Sequence, residues 1–175
     1  MDEQQLIESC RKGNRIGQKE LYDRFARKMM GVCYRYVNDK ETASDLLQDG
    51  FVKVFQSLES YSGIGSFEGW VRKIFVNTAL EYLRKSDVLR EATDLDNTAE
   101  LIQPDSSVIS AMTANELMML VQELPPGFRT VFNLFAIEGY SHKEIGDMLN
   151  ITESTSRSQF TRARQMLQKK VNALH

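Results

Sequence analysis

Apolar residues recur every three or four positions along most of this chain, which is the spacing of an amphipathic helix, and no segment alternates as a strand would. Three long stretches carry such a stripe, over about 18–37, 40–59 and 66–85, and a shorter helix is predicted over 3–12. The stripes comprise Leu21, Phe25, Met29, Val32 and Tyr36, then Ala43, Leu47, Phe51, Val54, Phe55 and Leu58, then Phe67, Trp70, Val71, Ile74, Thr78 and Tyr82. Helices with one apolar face each bury those faces against one another, so the pattern predicts a helical bundle over residues 1–85.

The periodic pattern stops after Lys85 and resumes with Leu117, Leu120, Val121 and Leu124. Residues 86–110 are acidic, rich in Ser, Thr, Asp and Asn, and weakly periodic, which is the composition of a flexible linker. A second set of apolar stripes follows, punctuated by Pro126, a residue suited to the first turn of a helix. The sequence thus predicts an all-α chain in which two small helical domains, 1–85 and 111–175, are joined by a flexible acidic linker.

The strongest local signal lies in the final quarter of the chain. Ser141 is a good N-cap and Glu144 follows it by three positions, which is the pattern of a capping box. The spacing predicts a helix over His142–Leu149, a short turn over Asn150–Thr152 and a second helix from about Glu153. In a helix-turn-helix the second helix enters the major groove of DNA. A structural helical hairpin has the same spacing, so both interpretations stay open at this point.

The second of these helices carries side chains that suit DNA. Its buried stripe is predicted to comprise Phe160, Ala163, Leu167 and Val171. The opposite face holds hydroxyls, an amide and cations, the groups that bind phosphates and base edges. These residues are Thr155, Ser158, Arg162, Gln165 and Lys169, with Arg157 beside them. A solvated face normally includes acidic residues, and none occurs from Thr155 to the C-terminus, so this face favours nucleic-acid binding.

The charge is unevenly placed along the chain. The formal net charge of −2 and the pI of about 5.8 would by themselves argue against nucleic acid as a partner. However, residues 86–127 hold one basic residue against eight acidic ones, whereas residues 128–175 hold seven basic and four acidic ones. The position of charge decides binding to a polyanion more than the total does. The basic C-terminal segment is therefore a candidate for contact with DNA.

A second candidate for binding follows a glycine-bearing loop. Phe67 and Trp70 begin the helix there, and Lys73 and Asn77 lie one turn apart on one of its faces. Aromatic rings beside a cation and an amide suit the unstacked bases of single-stranded DNA. The same two rings also fit a hydrophobic core, and periodicity alone favours the core.

The helix predicted over 40–59 carries a polar face on the side away from its stripe. Asp45, Gln48 and Asp49 are spaced by three and four positions, so they lie together on this face. By itself this spacing indicates an amphipathic helix with an acidic, solvated side.

No arrangement typical of catalysis is found in the sequence. The loop Gly63–Gly69 fits neither the dinucleotide fingerprint nor the phosphate-binding loop, and no strand precedes it. His142 and His175 have no partner nucleophile or metal cluster, and Cys10 and Cys33 lack metal-ligand spacing. We therefore expect no enzyme activity, no cofactor and no metal site. With no apolar run long enough to span a membrane and no signal peptide, we expect a cytoplasmic protein with reduced thiols.

Taken in order, these segments resemble the bacterial RNA polymerase sigma factors of the sigma-70 family, in particular its small two-domain extracytoplasmic-function group. Asp45–Phe51 is similar to the helix of region 2 that docks on the polymerase β′ subunit. Phe67–Lys85 resembles the part of region 2 that melts and reads the minus-ten promoter element. Leu124–Phe132 resembles the start of region 4, and Tyr140–Arg164 resembles its helix-turn-helix, which reads the minus-thirty-five element as duplex. The resemblance covers the chain except for the linker.

The resemblance implies a sigma factor that binds core RNA polymerase and recognises both promoter elements to start transcription. Its implied partners are the β′ and β subunits of the polymerase, promoter DNA and a possible anti-sigma factor, with no insertion into a membrane. The implied polymerase contacts are Asp45, Gln48 and Asp49. The implied minus-ten contacts are Phe67, Trp70, Lys73 and Asn77, and the implied minus-thirty-five contacts are Thr155, Arg157, Ser158, Arg162 and Gln165.

Four residues depart from the family pattern. Asp49 stands where the family usually has Glu, and Gly50 where it has a β-branched residue. Gly146 replaces the usual Ala in the first helix of the helix-turn-helix, and Ser156 replaces a frequent Val at the edge of the buried stripe. The sequence leaves open whether Ser156 faces the core or DNA.

Two other functions are consistent with the pattern. A polymerase-independent helix-turn-helix transcription regulator would find its DNA site without polymerase and would use the N-terminal bundle to sense a ligand or to dimerise. A helical adaptor that binds only protein would show no salt-dependent DNA affinity. The acid-free stretch from Thr155 to the C-terminus disfavours the adaptor.

Overall fold

The computed structural model describes residues 1–86, Leu89 and 113–174, and the chain divides into two compact units, Met1–Tyr82 and Leu83–His175. All regular structure in the described residues is helical, which confirms the all-α prediction. The N-terminal unit holds α1 (Glu3–Arg11), α2 (Arg15–Val37), α3 (Lys40–Ser57), a short 3₁₀ turn (Leu58–Ser60) and most of α4 (Phe67–Lys85). The C-terminal unit holds α5 (Ala114–Gln122), α6 (Pro126–Phe132), a π-helical segment (Asn133–Ile137), α7 (His142–Leu149) and α8 (Glu153–Leu174).

The linker predicted over 86–110 lies outside the described residues except for Ser86 and Leu89. The C-terminal domain, predicted to begin at residue 111, is described from Thr113 onwards. None of the helices in these described parts is both long and apolar enough to cross a membrane.

Helices α1, α2 and α3 each begin at a short polar residue, and α2 also ends at one. The side chains of Asp2, Asn14 and Asp39 accept hydrogen bonds from the first turns of α1, α2 and α3. Asn38 ends α2 in the left-handed conformation, with a φ of 54°. These local signals put α2 and α3 close to the predicted ranges, and both helices turn their predicted stripes toward the core of the unit.

The buried face of α4 differs from the predicted one. Tyr82 is 40% exposed and Trp70 is half-buried, whereas Phe75 and Leu80 are fully buried. Apolar residues occupy much of the circumference of this helix, so its periodicity allowed more than one stripe. Packing against α3 decided between them, since the Phe75 ring lies 5.1 Å from the Phe51 ring.

A glycine in the middle of α3 makes room for that ring. A Cβ atom at Gly50 would lie 2.2 Å from Phe75 Cε1, which is far closer than non-bonded atoms approach. Because Phe75 is itself fully buried, its ring has little space into which it could move. The departure from the family pattern at Gly50 is therefore explained by the large side chain that faces it.

The core of the C-terminal unit lies between α5, α6 and α8. Pro126 occupies the first turn of α6, as predicted. Buried apolar residues of the three helices form one cluster, namely Leu120, Val121, Leu124, Phe128, Phe132, Ala163, Leu167 and Val171. Arg129 is buried beside them and donates from Nη1 to the carbonyl oxygens of Gln122 at 3.2 Å and Leu124 at 3.4 Å. The guanidinium thereby satisfies carbonyl groups at the C-terminal end of α5.

The π-helical segment that extends α6 was not expected from the apolar spacing. Its wider turns change the direction in which side chains leave the helix. Phe135 lies in this segment, and its ring is stacked on the His142 ring, with 4.1 Å between centroids and 6° between planes. The segment thus brings Phe135 to the start of α7.

Candidate functional site

The helix-turn-helix predicted from the sequence is formed by α7 and α8. Ser141 Oγ accepts a hydrogen bond from Glu144 N at 3.1 Å, and Glu144 Oε1 accepts one from Ser141 N at 3.2 Å, which completes the capping box. Asn150 ends α7 in the left-handed region, with a φ of 57°. The first helix has the predicted bounds, and the second begins at Glu153 as predicted.

Gly146 lets the turn between these helices lie close against α7. Ile151 N donates to the Gly146 carbonyl oxygen at 2.9 Å. A Cβ atom at position 146 would lie 2.7 Å from the Ile151 carbonyl oxygen, so a larger residue would displace the turn. The departure from Ala at this position is explained by that close approach.

Ser156 faces the core and not the solvent side of α8. It is fully buried, and its Oγ lies 2.9 Å from His142 Nδ1. A buried hydroxyl without a partner would cost about 1–3 kcal/mol, and the imidazole supplies the partner. The His142 ring also stacks on Phe135 and lies 5.8 Å from the Phe160 ring. This cluster joins α7 to the first turns of α8 and removes Ser156 from the candidates for DNA contact.

The pH dependence of stability tests the His142 cluster. Burial, and secondly the Arg157 guanidinium, lower the pKa of His142 below its usual value, although Glu153 acts in the opposite direction. Because the folded pKa is lowered, the unfolded chain takes up this proton first as the pH falls below about 6.5, so stability is lost there. We expect the melting temperature to fall between about pH 7.5 and about pH 5.5, above the range in which carboxylates titrate.

The variant His142→Gln should show a flatter pH profile over the same range, because it removes the titrating group. Wild type and variant both keep His175, the other histidine of the chain, so their difference isolates His142. An equal loss of melting temperature in both proteins would contradict a neutral His142 in the folded cluster.

The residues predicted to contact duplex DNA lie on α8 with different exposure. Arg157 and Ser158 are exposed near the start of the helix. Thr155, Arg162 and Gln165 are half-buried. In helix-turn-helix proteins the N-terminal part of the second helix meets the base edges, so Arg157 and Ser158 are the best placed of the five.

The start of α8 also holds groups that the sequence interpretation did not include. Arg157 Nη1 donates to Glu153 Oε1 at 2.8 Å, so an acidic residue lies on this surface just before the acid-free stretch. Thr152 Oγ1 accepts a hydrogen bond from Thr155 N at 3.0 Å and lies 2.8 Å from Thr155 Oγ1. Thr155 therefore takes part in capping the helix.

The residues predicted to contact the minus-ten element divide between the core and the surface of the N-terminal unit. Lys73 and Asn77 are exposed on α4, and Trp70 is half-buried. Phe67 is only 1% exposed, and the Tyr61 and Trp70 rings pack against it at 5.2 and 5.8 Å. A ring enclosed in this way cannot stack on a base, so the implied DNA contact of Phe67 is corrected to a role in the core.

The loop before α4 carries an exposed residue that sequence reasoning missed. Ile64 is 85% exposed between Gly63 and Gly65, which both have a φ of 82°. Glycine adopts this left-handed conformation without the strain that a side chain would bring. An apolar residue between two glycines was the available signal. Its side chain is free to contact a partner such as an unstacked base.

The predicted polymerase-docking face is exposed on α3. Asp45, Gln48 and Asp49 are all exposed, and their spacing puts them on one side of the helix. Val52 is 54% exposed one turn further on and extends this side with an apolar group. Sequence reasoning missed Val52 because one apolar residue beside a buried stripe carries no signal of its own.

The two cysteines lie in the interior of the N-terminal unit. Cys10 and Cys33 are both buried and free. Burial raises the pKa of Cys33 to about 12 and also raises that of Cys10, so both thiols stay protonated at neutral pH. In the part of the chain that the structure describes, no group of three side chains is placed to hold a metal ion. The candidate surfaces are the exposed faces of α3, α4 and α8.

Two family models match the chain, in the order in which the two domains are predicted. Residues 21–88 match Sigma-70 region 2, and residues 114–167 match Sigma-70, region 4. The first match includes the acidic face of α3 and all of α4, and the second includes the helix-turn-helix. Helix α1 lies before the first match.

Similar proteins align with nearly the whole chain. The ECF RNA polymerase sigma-E factor of Haemophilus influenzae is 28% identical over 185 residues, which cover 99% of this chain and 97% of that protein. The RNA polymerase sigma-H factor of Pseudomonas aeruginosa is 28% identical over 183 residues, which cover 98% of this chain and 95% of that protein. The sigma factor RpoE of Bartonella quintana, solved in complex with the anti-sigma factor NepR, has a similar fold, with a TM-score of 0.53 at 17% identity over 88% of this chain and 96% of that one.

Proposed function

Because this chain belongs to the sigma-70 family of RNA polymerase sigma factors, in its extracytoplasmic-function group, we propose that it directs core RNA polymerase to promoters and takes part in opening them. One observation carries this proposal, namely that a single chain combines a region 2 match with a region 4 match that contains a formed helix-turn-helix. A polymerase-independent regulator needs no region 2, so this combination favours the sigma factor. RNA synthesis is catalysed by the polymerase, and this chain acts as its specificity subunit.

Contact with the polymerase is assigned to α3. The exposed side of this helix presents Asp45, Gln48 and Asp49. Because these side chains lie outside the core, they are available to a partner. Val52 adds an exposed apolar group one turn away. Polar groups around an apolar contact are the usual composition of a protein interface.

Recognition of the minus-ten element is assigned to the exposed face of α4 and to the loop before it. Lys73 suits a phosphate, and Asn77 suits the edge of an unpaired base. The exposed part of Trp70 and the Ile64 side chain offer apolar surface against which a base can pack. Phe67 supports the Trp70 ring from within the core, with 17° between the two ring planes.

Recognition of the minus-thirty-five element is assigned to α8. Arg157 and Ser158 are exposed at its start, where base edges are expected. Thr155, Arg162 and Gln165 lie half-buried along the same helix and suit contacts with the phosphate backbone.

The proposed place of action is the cytoplasm, where bacterial RNA polymerase works. An anti-sigma factor is proposed as a further partner, because the RpoE protein of similar fold is bound to the anti-sigma factor NepR in its solved structure.

Reconstitution with core RNA polymerase tests the proposed function. The full chain is mixed with core enzyme, and a pool of duplex DNA with a randomised upstream region is transcribed. We expect transcripts from templates enriched in two short motifs at a fixed spacing, and no such enrichment with core enzyme alone. Selective DNA binding by the chain without any association with core enzyme would instead support the helix-turn-helix regulator.

The variant Arg157→Ala tests the docking of α8. We expect the affinity of the holoenzyme for the selected minus-thirty-five duplex to fall by about 1–3 kcal/mol, because a base contact is lost, with a smaller loss for a scrambled duplex. Fluorescence anisotropy at several salt concentrations measures both affinities.

Lys170→Ala is the matched control for this variant. It removes one positive charge from the same helix, but Lys170 Nζ pairs with Glu123 at 3.0 Å, far from the helix start. Equal losses for the selected and scrambled duplexes in Arg157→Ala would assign Arg157 to a phosphate. If neither duplex is affected, α8 does not dock as proposed.

A further inference from the structure

The first helix reaches the segment that leads into α4. Arg11, the last residue of α1, donates from Nε to the carbonyl oxygen of Leu58 at 3.1 Å and from Nη2 to that of Tyr61 at 2.7 Å. These partners lie 47 and 50 residues further along the chain. Hydrogen bonds from a guanidinium are charge-assisted, and its planar fork fixes their direction. One side chain thereby holds the backbone at both ends of the 3₁₀ turn.

Tyr61 continues this anchoring across the loop that follows, residues 62–66. Its side chain is 8% exposed, and its ring lies 5.4 Å from the Trp70 ring. The Tyr61 hydroxyl donates to the carbonyl oxygen of Gly65 at 3.0 Å. Arg11 therefore fixes the start of the 62–66 loop through the Tyr61 carbonyl, and the Tyr61 hydroxyl fixes its end.

These bonds hold the 62–66 loop at its base, and one further bond lies within it, from Ile64 N to Ser62 Oγ at 3.3 Å. Gly63 and Gly65 have the largest conformational freedom to lose when the loop adopts one shape. The exposed Ile64 side chain between them does not hold the tip by packing. A loop that is already ordered pays a smaller entropic cost when it binds a ligand. Hydrogen bonds at the base of the loop therefore reduce the conformational entropy that the loop loses when it binds.

We propose that Arg11 is a positioning residue for minus-ten recognition, an inference that rests on the function proposed for α4 and the 62–66 loop. By binding the carbonyl oxygens of Leu58 and Tyr61, Arg11 fixes the position of the residue before the loop, and thereby the position of Ile64 at its tip. Helix α1 precedes the part of the chain that matches region 2, so this inference gives a role to a helix outside that match. Arg11 is exposed, so its side chain can be removed without opening the core.

The test compares Arg11→Ala with Lys12→Ala, each as the full chain assembled with core polymerase. Lys12 is the exposed neighbour, and its removal subtracts the same charge while the two carbonyls keep their partner. The probe is a single-stranded oligonucleotide that carries the non-template minus-ten sequence selected by the wild-type holoenzyme from a randomised pool. We expect Arg11→Ala to bind it about tenfold more weakly, and Lys12→Ala to stay within about twofold of wild type. Arg11→Lys should fall between them, because an ammonium group lacks the planar fork that bridges two carbonyls.

Two further affinities, for core polymerase and for the minus-thirty-five duplex, are measured on the same proteins. Both should stay within about twofold of wild type in Arg11→Ala, because neither the α3 face nor α8 is changed. If Arg11→Ala loses polymerase affinity by the same factor as oligonucleotide affinity, Arg11 only stabilises the bundle and the proposal is wrong. If Arg11→Ala and Lys12→Ala lose the same oligonucleotide affinity, the loss reflects only the removal of a positive charge. That result would also overturn the proposal.

The variant Asn77→Ala separates this proposal from the function on which it rests. It should weaken oligonucleotide binding directly, since Asn77 is assigned to a base edge. If wild type and Asn77→Ala bind the oligonucleotide equally, the function assigned to α4 is wrong. If Asn77→Ala is impaired and Arg11→Ala is not, the α4 assignment stands and the positioning role of Arg11 is wrong.

Discussion

The double variant Asp45→Arg, Gln48→Ala is expected to lose about 2–5 kcal/mol of binding free energy for core RNA polymerase, or about thirtyfold to several thousandfold in affinity. A loss of this size is typical when one charged partner is removed from an interface and the group facing it stays buried. Both side chains are exposed on α3, so the bundle itself does not depend on them. Titration of labelled core enzyme with the full chain measures the affinity.

The control for this variant is Glu3→Arg, which reverses an exposed acidic residue on α1. It changes the charge of the same unit but lies on another helix, so we expect polymerase affinity to stay close to wild type. Circular dichroism verifies that both variants keep their helical content. Unchanged polymerase affinity in a folded double variant would remove the α3 face from the interface.

The variant Gly50→Ala is expected to lower the free energy of unfolding by about 1–3 kcal/mol, as overpacking of a core does. Alanine is a better helix former than glycine, so helix propensity alone predicts the opposite sign. The new Cβ atom would overlap the Phe75 ring, which is buried and packed against Phe51, so the ring or the helix must move. Chemical denaturation of the full chain gives the measurement.

A second glycine provides a matched control. Gly31 lies inside α2, and a Cβ atom there would meet no atom within 4 Å. We therefore expect Gly31→Ala to stabilise the chain by up to about 1 kcal/mol, the gain in helix propensity. In the Gly50→Ala background, Phe75→Leu should recover part of the loss, because the smaller side chain relieves the overlap. If Gly50→Ala and Gly31→Ala change stability alike, the close fit between α3 and α4 does not exist in solution.

Local chemistry made the helices predictable. The capping box of Ser141 and Glu144 and the proline at the first turn of α6 act over three or four residues, so their effect is visible in the sequence. The acidic face of α3 was also predictable, because residues spaced by three and four positions share one side of any helix. The choice of these faces as binding surfaces came from resemblance to a family, and periodicity did not provide it.

Contacts between distant parts of the chain were decided only by the tertiary structure. Phe67 could have faced a base or the core, and the packing of Tyr61 against it enclosed the ring. Ser156 could have faced DNA or the core, and a hydrogen bond to His142 on another helix decided its direction.

By itself, the sequence determined that the two units are helical, where most of their helices begin and end, and which side of α3 is polar. These properties follow from hydrogen bonds and side-chain spacing within one or two turns, which every helix of that sequence would share. The tertiary structure alone decided which stripe of α4 is buried, why Gly50 is needed, and that Arg11 holds the backbone 47 and 50 residues away. The energy of such a contact depends on the shapes and positions of both side chains. The place of one residue in the sequence does not specify which residue of another helix will lie against it.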